Sequence, residues 1–177
     1  CIRDRLRIAR MLGEPQLQLL RAHRLGDTPE VSVISSQHRD ILGHGGRSIL
    51  GRYWHTDDSY LPVPSSITLL HANIVPGLGK GDTLFADMRA AWESLDMVYC
   101  NEIQNLKAVH KYQSRRNVSA VPKRSKEEEA ETPAVTHPLV RTHPDSGRRA
   151  LYLNPNRIDH VEGLPLPDGD RLLDDLI

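Results

Sequence analysis

The chain is short of cysteine, aromatics, net charge and long apolar runs, and each shortage removes a class of function. Two cysteines, Cys1 and Cys100, in 177 residues cannot build a disulfide framework. Aromatic residues make up 5% of the chain, with a single Phe, which argues against platforms on which nucleic-acid bases stack. Lys and Arg number 23 and are cancelled by 23 Asp and Glu. That balance lacks the basic footprint of a nucleic-acid or anionic-membrane binder. No apolar run approaches the roughly 20 residues that cross a bilayer. The N-terminus, Cys1-Ile2-Arg3-Asp4-Arg5, is charged and has no apolar signal core. A protein of a reducing, cytoplasmic compartment is expected, without nucleic-acid or membrane partners; a homo-oligomer is compatible with this composition.

What is present fits one domain over residues 1–177. Leu, Ile, Val and Phe supply about a quarter of the chain, enough for a core. The chain starts without Met and stops at Ile177 directly after a helix-like run, which reads as a fragment of something longer. Helices are predicted at Ile2 to Leu12, at Met88 to about Leu95 behind an Asp87 N-cap, within Met97 to Val109, and at Asp168 to Ile177. Strands are predicted at 31–35, 52–57, 66–75 and 83–85, with a glycine loop at 42–51. Residues 138–143 and 149–154 flank Pro144-Asp145-Ser146-Gly147, a β-hairpin signal. Residues 113–133 hold the charged run Lys123 to Glu129 and little apolar mass, so a solvated loop, lid or insertion is expected. The sum is an α+β chain, mainly β, on a sandwich or small barrel.

Chemistry concentrates in Trp54-His55-Thr56-Asp57-Asp58. On a strand, His55 and Asp57 project from one face, with Thr56 turned away. One imidazole and one carboxylate are two thirds of a two-His-one-carboxylate facial triad, which leaves positions of Fe(II) open. A strand-end salt bridge has the same sequence. A second segment, Gly79 to Met88, delivers Thr83 from a glycine turn, where its hydroxyl can donate to a ligand carboxylate; a plain turn reads identically.

Taken in order, Trp54-His55-Thr56-Asp57, Gly81-Asp82-Thr83, Met88 to Glu93, His137 to Pro144 and Gly147 to Asn154 resemble the taurine dioxygenase/2,4-dichlorophenoxyacetate dioxygenase family over roughly residues 50–177. The resemblance implies a double-stranded β-helix (jelly-roll, cupin-like) core with flanking helices, incomplete at both ends of this chain. It implies Fe(II) held by His55 and Asp57, 2-oxoglutarate contacted by Thr83, and O2 as the oxidant. The implied reaction hydroxylates a small organic acid of sulfonate, sulfate ester or aryloxyalkanoate type and releases succinate and CO2. Asp58 and Tyr152 are candidates to line the substrate pocket. The family's third ligand, a His near a Trp-Asp-Asn-Arg segment, and the Arg for the distal carboxylate of 2-oxoglutarate are expected beyond Ile177.

The other histidines are read differently. His137 and His143 are read as structural or pocket-lining, His71 as a core histidine, and His110 and His160 as non-ligating. Gly51 stands where many members carry Asn. Asp58, just after the ligand Asp, disfavours an anionic substrate there unless it points away or is paired. A catalytically inactive remnant of the fold, kept for binding or assembly, is the competing reading.

Overall fold

The computed structural model describes residues 2–35, 51, 53–117 and 124–177. The first element is helix α1, Ile2–Leu12, with Leu6 buried beneath it. A short hairpin follows, β1 (Arg24–Leu25) with β2 (Thr28–Ser32), so the strand expected at 31–35 begins earlier and ends at 32. Helix α2, Met88–Glu93, starts where Asp87 accepts hydrogen bonds from the Arg89 and Ala90 amides at 2.9 and 3.3 Å. The Arg89 side chain and those amides hold the Asp87 carboxyl down at about 2. Helix α3, Met97–Ile103, is capped the same way by Asp96.

The core is carried by the C-terminal half. Strand β3 (Lys107–His110) is the centre of an antiparallel three-stranded sheet, flanked by β4 (Val135–Pro138) and β7 (Ile158–Val161). Ala108 pairs with His137 on one side and Val161 on the other. The expected hairpin is present as β5 (Val140–Thr142) and β6 (Arg149–Leu151), in the register Val140 to Leu151, with Gly147 at φ 67° closing the turn. Ile103, Leu139, Ile158, Val161 and Leu173 are buried together, with Trp92 and Leu95 packed on their edge. Helix α5, Leu166–Leu176, lies on β7, with Gly169 packed against Val161, where a β-carbon would make ordinary contact at 3.4 Å.

Three expected strands are not strands. Residues 53–57, 66–75 and 83–85 carry neither helix nor ladder, and Ile67, Leu69, Leu70, Ile74, Val75, Leu84 and Phe85 are exposed. Alternation marks a segment able to be a strand, but the ladder needs a neighbour to satisfy its N–H and C=O groups. Among the described residues these segments have none. As a result helix outweighs strand in the described residues, against the mainly β expectation. The glycine turn does form: Gly79 and Gly81 have φ 73° and 71°, and a β-carbon on Gly81 would meet Pro76 at 2.8 Å.

The stretch 113–133 is not all loop. Ser125 and Glu128 make a reciprocal capping box that starts helix α4, Lys126–Ala130. Glu128 is buried because it also accepts from the Arg21 amide at 2.9 Å. Residues 118–123 of that stretch and 42–50 of the expected glycine loop lie outside the described residues. No helix among the described residues is long and apolar enough to cross a membrane.

Candidate metal centre

The His55–Asp57 pair sits on an irregular loop rather than a strand, yet the loop still brings the two side chains together. His55 Nε2 lies 3.5 Å from Asp57 Oδ1, and both side chains are 46% exposed. His55 Nδ1 lies 2.8 Å from the Tyr53 carbonyl. A carbonyl only accepts, so Nδ1 carries the proton and Nε2 is the nitrogen whose lone pair is available when the ring is neutral. Asp57 Oδ2 accepts a hydrogen bond from Thr68 Oγ1 at 2.8 Å. The Asp57 side chain raises the His55 pKa, and His55 in turn lowers that of Asp57. Half-exposed as it is, the pair adds at most about 1 kcal/mol of stability as a salt bridge. Its orienting bonds therefore serve geometry more than folding.

Two elements of the core grip this loop. Asn154, just past β6 and fully buried, donates to the Thr56 carbonyl at 2.7 Å and to Ser59 Oγ at 2.9 Å. That places its grip on the peptide between the two candidate ligands. His137 on β4 bonds the Leu61 carbonyl through Nε2 at 3.0 Å. Asp58 adopts φ 55°, a left-handed conformation that Asp tolerates better than most residues. Its carboxylate turns to Tyr60 and Ser65, which donate to it at 3.2 and 2.6 Å. Asp58 thus points away from the pair's own hydrogen bonds and is matched by two hydroxyls.

Tyr152 lies elsewhere, in an aromatic cluster. It stacks on His110 (centroids 5.7 Å apart) and meets His137 edge-on, with the Arg141 guanidinium 4.6 Å over its ring. Thr83 is exposed and makes no side-chain hydrogen bond among the described residues, so the structure does not join it to the pair. Nor does any group of three or more His, Cys, Asp or Glu able to hold a metal occur among them. Thr68 and Asn154 were missed as site residues. Asn154 sat inside a recognised hairpin motif, but its partners are almost a hundred residues away and leave no mark in local spacing.

Asn154→Ala is expected to leave the Thr56 carbonyl and Ser59 hydroxyl unpaired in a buried setting. The cost should be about 1–3 kcal/mol in urea unfolding.

A family model, Taurine catabolism dioxygenase TauD, TfdA family, matches residues 3–177. The chain belongs to this family. It is 34% identical over 157 residues to the alpha-ketoglutarate-dependent 2,4-dichlorophenoxyacetate dioxygenase of Cupriavidus pinatubonensis, covering 86% of this chain and 53% of the relative. A putative alpha-ketoglutarate-dependent sulfonate dioxygenase of Schizosaccharomyces pombe is 37% identical over 126 residues, 70% of this chain and 31% of that protein. Among solved structures, AAD-2 in complex with Mn(II) and N-oxalylglycine is 37% identical with a TM-score of 0.61, over 70% of this chain and 48% of that one. The chain spans about half the length of the 2,4-dichlorophenoxyacetate dioxygenases it matches.

Proposed function

We propose that this chain supplies the Fe(II)- and 2-oxoglutarate-binding part of a dioxygenase that hydroxylates a small organic acid. The observation that carries the reading is the His55–Asp57 pair. Its Nδ1 proton is committed to the Tyr53 carbonyl, its Nε2 faces Asp57 Oδ1, and Asn154 fixes the intervening peptide. An imidazole nitrogen and a carboxylate oxygen suit Fe(II), and two donors leave open coordination positions. When bound, the metal and 2-oxoglutarate would supply the oxidising chemistry that no side chain can.

The residues of this chain do the rest. His55 and Asp57 would hold the metal; Thr68 orients the Asp57 carboxylate, which leaves its second oxygen for coordination. Thr83, with its hydroxyl unengaged, is the proposed donor to 2-oxoglutarate. The proposed architecture is a jelly roll with flanking helices. Support for the co-substrate comes from relatives named for alpha-ketoglutarate and, separately, from the 37% identical AAD-2, solved with Mn(II) and N-oxalylglycine, a close isostere of 2-oxoglutarate. Sulfonates, sulfate esters and aryloxyalkanoates are the proposed substrate classes, from the names of matched relatives. Retention of an oriented pair speaks against an inactive remnant, which has no use for it.

The test is succinate release from 2-oxoglutarate with Fe(II) by the full-length protein, across a panel of such acids. Succinate dependent on both Fe(II) and one of the acids is the expected result. Its absence with every acid, in a folded protein, would leave the remnant reading standing.

A further inference from the structure

The segment that carries His55 and Asp57 is in neither helix nor ladder, so no secondary structure of its own holds the two side chains in place. The bonds each of them makes are local or exposed. His55 is tied to the Tyr53 carbonyl, two residues before it, and Asp57 to Thr68, in another segment without helix or ladder. Asn154 differs on both counts. It is 1% exposed, and its backbone carbonyl accepts from the Arg157 and Ile158 amides at 3.0 and 2.9 Å. Those bonds fix it to the turn that enters β7, and so to the core sheet. From that base its Nδ2 donates to the carbonyl of Thr56, 98 residues earlier in the chain.

That carbonyl belongs to the planar peptide joining Thr56 to Asp57, so holding it sets the direction in which the Asp57 side chain leaves the loop. The carboxamide has one way to face. A carbonyl only accepts, so the group 2.7 Å from Thr56 is the NH2, and its two hydrogens are committed to Thr56 and Ser59. Its Oδ1 is buried and has no hydrogen-bond partner among the described residues. A carboxamide with one atom unpaired is costly to bury for packing alone. What it supplies in return is two donors aimed at the loop. We propose that Asn154 is a positioning residue for the candidate metal pair, acting through the Thr56 carbonyl to hold Asp57 beside His55. The inference rests on the proposed function in taking that pair as metal ligands. His137 grips the same loop at the Leu61 carbonyl, beyond the pair, and so steadies the loop without fixing either ligand's own peptide. With Asn154 in place the pair is set before a metal arrives, which is the preorganisation a metal site needs.

The experiment is Mn(II) binding by the full-length protein with 2-oxoglutarate present, set beside urea unfolding of the same preparations. Asn154→Ala should weaken Mn(II) at least about tenfold, and Asn154→Leu, which fills the volume but cannot donate, should weaken it as much. Ile103→Val, a loss of packing among core residues, should lower the urea midpoint and leave Mn(II) affinity unchanged. In the metal-free, unaltered protein the Asn154 carboxamide protons should exchange with solvent at least about tenfold more slowly than those of the exposed Asn101, measured by NMR. Full Mn(II) affinity in Asn154→Ala, its recovery in Asn154→Leu, an equal loss in Ile103→Val, or fast exchange of the Asn154 protons each overturn the proposal. The exchange measurement decides even where a variant does not fold. Unaltered protein that binds no Mn(II) overturns the assignment of the pair itself, and this proposal with it, so the two failures are distinguishable.

Discussion

In the full-length protein, His55→Ala and Asp57→Ala are each expected to lower acid-dependent succinate release by more than about a hundredfold, with little effect on folding. Loss of an outer partner of a metal site alone costs 10- to 100-fold, and these two residues are the proposed ligands themselves. Both side chains are half exposed, and their mutual contact is a surface salt bridge. Substitution at such positions should move unfolding free energy by no more than about 1 kcal/mol. The two expectations together separate the readings. A pair that is merely a salt bridge would show the small stability change with unaltered chemistry. Activity measured as succinate, alongside urea unfolding of the same preparations, makes the distinction.

Acid is expected to destabilise this protein through His110, and His110→Phe should remove that sensitivity. His110 is fully buried on β3, with neither ring nitrogen hydrogen-bonded, stacked on Tyr152 and edge-on to His137. Burial, helped by the neighbouring His137, pushes its pKa down to about 4, from 6.5 in the unfolded chain. Between those values the unfolded chain binds a proton that the folded chain refuses, so stability falls as pH drops from 6.5 towards 4. A shift of this size corresponds to about 3 kcal/mol when the transition is complete. Phe preserves the ring packing and cannot titrate. Urea unfolding at pH 7 and pH 4 should show a drop smaller by about 3 kcal/mol in the variant than in the unaltered chain. His137, Asp159 and Asp170 also have lowered pKa values, so both proteins retain a common acid sensitivity. Identical drops in the two would show that His110 does not carry the effect.

The local elements were legible in the sequence because local chemistry determines them. Asp87 before an apolar stripe and Pro144 to Gly147 between two β-rich runs were read from neighbours a few residues apart, as was the Gly79 to Asp82 turn. All three are present. Helix α4 was legible too, since Ser125-Lys126-Glu127-Glu128 is a capping-box signature, but the charge run around it read as solvated loop. Arg21, more than a hundred residues away, adds a backbone hydrogen bond to Glu128 and an ion pair to Glu131. Residues 66–75 show the converse: strong strand character in the sequence and no ladder partner among the described residues. The His55–Asp57 pair was found by its spacing, although the strand that justified the spacing is absent. What juxtaposes the side chains is a loop held by Asn154 and His137, and such long-range grips cannot be read from periodicity.

The most direct measurement of the central claim is Mn(II) binding to the intact chain with 2-oxoglutarate present, followed by the electron paramagnetic resonance signal of the free ion. The account predicts one Mn(II) site per chain, weakened at least tenfold by His55→Ala and by Asp57→Ala. Unchanged Mn(II) affinity in either variant would contradict it.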